Sequence, residues 1–373
     1  MNDIASSLGQ LGLSEEQADI LNSAAQVCRD RSPIDRVRAL IDDEAGFDPD
    51  VWAEIGQLGW LGIAIPEDFG GAGLGIGEAV PVAEHMGRHL MAVPFIPCTV
   101  AAQILLKAGT DAQKEALLPK VAAGDLSLTT ALGEDGDDMT ALGENERGGF
   151  MISGKATLVE HGAQVDRILI AFDTRDGRRL ALIERENLPG GALRRERIID
   201  DTRRAYELTL SGFEVGGDEL LDVDRTKEAL AHGEMVGAVL YAADMVGGAF
   251  RVIDYTADYL RTRKQFGKLI GSFQALKHPL VDAFILHERA RSHLYAAAHS
   301  FGDQGRGEVA VRMAKAQAEK AYSYAADRGI QFHGGFGFTY DCDAGLHRRR
   351  AIWNATRYGD ARSHKAKLAE MLF

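Results

Sequence analysis

Apolar positions recur at helical spacing through the first third of the chain, in short runs through the middle, and at helical spacing again to the end. In EEQADILNSAAQVCRDR, residues Ala18, Ile20, Leu21, Ala24, Ala25 and Val27 fall on one set of turns. Ser14 stands just ahead, where its hydroxyl can cap the first free amides. Asp50–Leu58 and GEAVPVAEHMGRHL repeat the helical pattern, and KEALLPKVAA closes it at 123. From 126 to 222 the apolar runs are short and bounded by Gly, Asp and Asn. Leu126–Leu132, Gly149–Ser153, Arg167–Phe172, Arg179–Ile183 and Tyr206–Val215 read as strands of an antiparallel sheet. Beyond 223 a long stripe forms from Val236, Leu240, Ala243, Gly247, Phe250, Ile253, Ala257 and Leu260. Further helices are expected over about 272–301 and 307–328. The order predicts an α+β fold: an N-terminal helical domain (1–125), a small antiparallel β middle domain (126–222) and a C-terminal four-helix bundle (223–373).

Composition narrows the class of molecule. With 46% apolar and 26% charged residues, the chain of 373 is neither disordered nor fibrous. No run of about 18 consecutive apolar residues predicts a spanning helix. The first twenty residues lack the basic and apolar regions of a signal peptide, so no membrane association is expected. Cys28, Cys98 and Cys342 form neither a disulfide frame nor a metal knuckle, which favours a reducing, cytoplasmic setting. A net charge of −13 argues against a nucleic-acid partner.

Most candidate motifs dissolve on inspection. Gly70–Gly75 (GGAGLG) has the wrong spacing for a dinucleotide fingerprint and reads as a loop needing positive φ. His85 and His89 lack the carboxylate of a zinc-binding HExxH helix, so no metal site is expected. There is no GxSxG elbow. Two C-terminal segments are different. One carries Arg263, Gln265, Phe266 and Gln274 in RTRKQFGKLIGSFQ; the other carries Gln331, Gly334 and Gly335 in QFHGGFGFT. An Arg fork suits a diphosphate, and paired glycines admit close approach to the backbone. A helix C-cap and a solvated charged turn would use the same residue types.

Taken together, RKQFG…FQ and QFHGGFGFT resemble the acyl-CoA dehydrogenase family, and IPEDFGGAGLG and LPKVAAGDLSLTTALGE extend the likeness across nearly the whole chain. The resemblance implies flavin adenine dinucleotide (FAD) as cofactor. It also implies α,β-dehydrogenation of an acyl-CoA thioester to the trans-2-enoyl-CoA, with a carboxylate base and hydride transfer to the flavin. Arg263, Gln265, Phe266, Gln274, Gln331, Gly334 and Gly335 match the segments that hold the diphosphate and adenosine of an FAD seated in a neighbouring subunit.

The rest of the family pattern is missing. The usual Glu should fall at 358, which is Tyr358; the alternative position on the preceding helix is Gly237. The flavin-facing stretches are replaced by Thr130–Asp138, which is acidic, and by Ala156–Glu160. Acidic side chains beside an anionic reduced flavin are unfavourable. The likeness therefore extends to the base-lacking subunit of heteromeric (α2β2) steroid side-chain acyl-CoA dehydrogenases, which implies an unlike second subunit. The alternatives are a homotetramer using Glu234 or Asp244 as base, and a flavin-free acyl-CoA-binding scaffold.

Overall fold

The computed structural model describes residues 15–134 and 136–373; the cap expected at Ser14, and Asp135 of the acidic stretch, lie outside them. Six helices come first: α1 (Glu15–Arg31), α2 (Ile34–Ile41), α3 (Pro49–Gln57), α4 (Ile76–Arg88), α5 (Phe95–Ala108) and α6 (Asp111–Ala123). Local chemistry sets their ends. Thr110 and Gln113 close a capping box on α6, each side chain bonding the other's amide at 3.2 and 2.9 Å. Asp48 accepts from the Asp50 amide at 3.0 Å to start α3. The buried guanidinium of Arg204 donates to the carbonyls of Leu40, Ile41 and Asp43 and so closes the end of α2. Gly70 and Gly73 hold φ of 75° and 68°, as the GGAGLG loop requires.

The middle region is β1 (Leu128–Ala131), β2 (Thr140–Glu144), β3 (Phe150–Glu160), β4 (Arg167–Thr174), β5 (Gly177–Glu184), β6 (Leu193–Arg195) and β7 (Ala205–Val215). These pair in the order β1-β4-β2-β3-β7-β6, with β5 on the free side of β4. The sheet is mixed, not antiparallel as the sequence led us to expect: β1 runs parallel to β4, with Leu128 opposite Arg167. β1 is buried along its whole length and β4 nearly so, which is how parallel strands read and why alternation gave no direction. Ile152, Val159, Ile168, Ile170, Phe172 and Leu208 form the core of this region.

The C-terminal part is α7 (Thr226–Thr262), a hairpin of β8 (Lys264–Gln265) and β9 (Lys268–Leu269), α8 (Gln274–His299), α9 (Gly307–Phe332), α10 (Asp343–Thr356) and α11 (Ala361–Leu372). α9 packs against α7, α8, α10 and α11. α7 is the axis of the molecule, bounded by α4 and α5 on one side and by α8, α9 and α10 on the other. By length and mean hydropathy (1.5 over its most apolar stretch) α7 could cross a bilayer, but 89% of that stretch is buried within the protein. α4 and α7 touch backbone to backbone. A Cβ on Gly247 would stand 1.7 Å from the Glu84 carbonyl, and one on Gly87 2.1 Å from that of Asp244.

Candidate functional site

The two glutamine-containing segments meet on one end of the helical bundle. α7 ends at Thr262, and the chain reverses through the β8–β9 hairpin at Phe266 and Gly267, both left-handed with φ of 53° and 75°. That turn presents the Phe266 ring to solvent at 90% exposure. Gln274 is the first residue of α8, and Gln331 lies in the last turn of α9; both are exposed. Leu260, Ile270 and Phe332 form one apolar cluster beneath these segments, with Phe273, Leu276 and Leu280 packed on it. Gly334 and Gly335 open the exposed turn that follows α9. His333, between Gln331 and the glycines, is the pillar. Its ring stacks on Tyr255 and Tyr259 at 4.7 and 4.3 Å, and its Nδ1 bonds the Gly329 carbonyl at 2.7 Å.

Arg263 caps α7 and is exposed, with no ion-pair partner among the described residues. The nearby carboxylate of Asp258 is taken by Arg261 at 2.8 Å. A free guanidinium with two exposed amides suits a diphosphate presented from outside the chain.

The other half looks inward, where β1, β3, α7 and the turn after α10 enclose a cavity of about 290 Å³. The two positions at which the resemblance would put a base converge here. The Tyr358 ring lies over Gly237 so closely that a Cβ on the glycine would stand 2.5 Å from it. Neither position holds a carboxylate. Burial pushes the Tyr358 phenol up to about 12 against the opposing pull of Arg357, so it is protonated and no base at neutral pH.

Donors that could face a planar ring are already engaged. Thr157 gives its amide (3.0 Å) and hydroxyl (2.9 Å) to Asp137, and the Leu158 amide bonds Glu196 at 2.7 Å. Arg357 bonds Glu134 and pairs with Glu160 at 3.3 Å, while the Tyr241 hydroxyl donates to Glu160. Burial, and then the Glu160 charge, raise the Tyr241 phenol well above its ordinary value. This knot of Arg357, Glu160 and Tyr241 was not foreseen. Its members come from three distant segments, and no spacing in the sequence joins them.

The two alternative bases separate cleanly. Asp244 is wholly buried, held by Arg203 (2.9 Å), Arg350 (3.3 Å) and Asn354 (2.6 Å). It lines no part of this cavity. Glu234 does line it, with its carboxylate on Arg312 at 3.1 Å. In the inward half the ring-facing donors are engaged and the one alternative base on the wall, Glu234, is paired with Arg312, whereas the outward half leaves the Arg263 guanidinium unpaired among the described residues.

An α–β–α chain with an exposed Arg263, Gln274 and Gln331 at one end of its C-terminal bundle is the class these features define. Residues 14–125 match the family model "Acyl-CoA dehydrogenase, N-terminal domain" and residues 229–370 match "Acyl-CoA dehydrogenase, C-terminal domain". Acyl-CoA dehydrogenase IpdE2 of Mycolicibacterium smegmatis is 26% identical over 362 residues, covering 97% of this chain and all of the relative. A variant of the Tcur3481-Tcur3483 steroid ACAD is 30% identical with a TM-score of 0.85, over 97% of this chain and 98% of that one. The ChsE4-ChsE5 complex from Mycobacterium tuberculosis is 26% identical with a TM-score of 0.86, with the same coverage of 97% and 98%. The chain belongs to the acyl-CoA dehydrogenase family, whose members are FAD-binding oxidoreductases.

Proposed function

We propose that this chain is the clamp-bearing subunit of a heteromeric acyl-CoA dehydrogenase. In this reading Arg263, Gln265, Phe266, Gln274, Gln331, Gly334 and Gly335 hold the diphosphate and adenosine of an FAD whose ring lies in an unlike neighbouring chain. The assembly is an α2β2 heterotetramer that oxidises an acyl-CoA thioester to its trans-2-enoyl product. The observation that carries the reading is the contact of Tyr358 with Gly237, which fills the base position with a phenol ring.

FAD supplies the hydride acceptor when bound. This chain's part is to bind and orient: Arg263 donates charged hydrogen bonds to phosphate oxygens, and the glycine turn after α9 allows the backbone to come close. Removal of the α-proton falls to a carboxylate of the other subunit. α8 also presents Val281, Phe284 and Ile285 to solvent on one face, at 55, 36 and 56% exposure, a surface suited to a partner. A steroid side chain as the acyl group rests on likeness to proteins described as a steroid ACAD and as a two-component complex. The three cysteines, all buried and unpaired, suit a reducing cytoplasm.

Purification of the chain alone and with its cognate subunit is the test. The lone chain is expected to carry little flavin and to turn over no acyl-CoA, and the pair to do both. Full flavin and turnover in the lone chain overturn the reading. They would favour the homo-oligomer in which Glu234, on the cavity wall, is the base; Glu234→Gln would then abolish turnover with the flavin spectrum unchanged.

A further inference from the structure

A second cavity lies in the helical half of the molecule, apart from the one described above. It measures about 750 Å³, within the range of small-molecule sites, and lies among α1, α4, α7, α8 and α10. It shares no lining residue with the cavity at Tyr358. The two are set apart along α7, and the glycine-mediated crossing of α4 on α7 at Gly87 and Gly247 brings backbone against backbone, leaving no room for a side chain.

Its polar lining is unevenly satisfied. Glu84 is fully engaged, by Arg291 at 2.8 Å and Tyr295 at 2.6 Å. Asp343 is held by Arg38 at 2.7 Å, and Asp254 faces Arg251 at 3.7 Å. Arg88 has neither ion pair nor hydrogen bond among the described residues; its guanidinium rests over the Phe250 ring at 4.2 Å. Burial lowers its pKa, against the opposing pull of the Glu84 and Asp254 carboxylates. His85 is buried and its Nδ1 has no partner, and the Nδ1 of His287 across the cavity has none either. A buried polar atom without a partner costs about 1–3 kcal/mol. Two such atoms beside an unpaired cation mark a place where an anion with acceptor oxygens would be stabilised. The remaining wall is mixed: Leu21, Ile34 and Leu90 give it an apolar patch, while Asn22, Gln26, Arg29 and Glu288 are polar.

We propose that this cavity is a second ligand site, taking an organic acid: a carboxylate on Arg88, with His85 Nδ1 donating to it, and an apolar body against Leu21, Ile34 and Leu90. The proposal does not rest on whether this chain clamps FAD: none of the proposed clamp residues lines this cavity, although Tyr255, on which His333 stacks, does.

The test is calorimetric titration of the full chain, in complex with its partner subunit, using octanoate, 1-octanol and acetate. Octanoate is expected to bind, with acetate and 1-octanol each at least tenfold weaker. Arg88→Gln should weaken octanoate at least tenfold, and Arg88→Lys should recover part of the loss. Ala25→Phe, which projects a ring into the cavity from α1, should abolish binding with the charge still in place. His85→Asn offers a second probe of the same carboxylate should Arg88→Gln fail to fold; it should weaken octanoate and leave 1-octanol unchanged. Absence of octanoate binding at millimolar concentration overturns the proposal. So does equal binding of 1-octanol, or unchanged affinity in a folded Arg88→Gln.

Discussion

Asp258 pairs with Arg261, one turn away on α7, and not with Arg263. That pairing matters because Arg263 would otherwise have a carboxylate of its own helix to neutralise it. Left exposed at the end of α7, it is available to an anion brought by another molecule. Arg263→Ala should therefore weaken FAD retention in the heteromeric complex roughly ten- to a hundredfold, from about 1.5–3 kcal/mol for a charged hydrogen bond. Arg263→Lys should recover part of this, since an ammonium cannot reproduce the fork. Equilibrium dialysis of flavin from wild type and both variants measures it; equal retention in all three contradicts the clamp.

Tyr358 and Gly237 are predicted to behave as one unit. Gly237→Ala puts a methyl 2.5 Å from the phenol ring, overpacking that should cost about 1–3 kcal/mol. Removing the ring as well, in Gly237→Ala with Tyr358→Ala, should cancel most of that strain. Denaturant unfolding of the two single variants and the double variant gives the coupling. Additive effects would mean that the ring is free to leave the glycine.

Asp244 is a structural anion. Asp244→Asn leaves the buried guanidiniums of Arg203 and Arg350 short of a counter-charge, a loss on the order of 3–5 kcal/mol for a broken buried pair. Unfolding should shift markedly. A variant of native stability that loses only turnover would make Asp244 the base instead.

Much of the architecture was legible, for physical reasons. The stripe from Val236 to Leu260 is readable because apolar residues recur at helical spacing for about seven turns, on a helix buried all round from Val236 to Ala249. What was missed lacks such a signal. Thr140–Glu144 is exposed at four of five positions, so no alternation marks it, and Leu193–Arg195 is three residues long. α10 and α11 went unread because their segment is dense in charge, and several of its buried members, among them His347, Arg350, Asn354 and His364, are polar. Of the site, the two glutamine-containing segments were visible as motifs, but their shared cluster of Leu260, Ile270 and Phe332 was not. The meeting of Tyr358 with Gly237 could be read from no periodicity. Family resemblance pointed to both positions separately, and the fold brings them together.

Acid should destabilise the chain well before its carboxylates protonate. Burial lowers His161 and His347 to about 3, below the 6.5 of a free histidine, with nearby arginines adding to the effect. Both are neutral in the folded protein and charged in the unfolded chain below pH 6.5, so the unfolded state binds more protons. Their contribution is complete above 6.5 and falls as pH drops towards 3, by about 1.4 kcal/mol per pH unit for each. Melting temperature should decline steadily from pH 7 to 5. A flat profile would mean that these rings reach water or a counter-charge.

The most direct measurement of the central claim is the flavin stoichiometry of the purified heteromeric complex, from the absorbance of released FAD against total protein. If this chain lends its clamp to a partner and holds no flavin ring of its own, the complex carries one FAD for every two chains. One FAD per chain would contradict the account, because Tyr358, Arg357 and Glu160 would then have to give way to a second flavin.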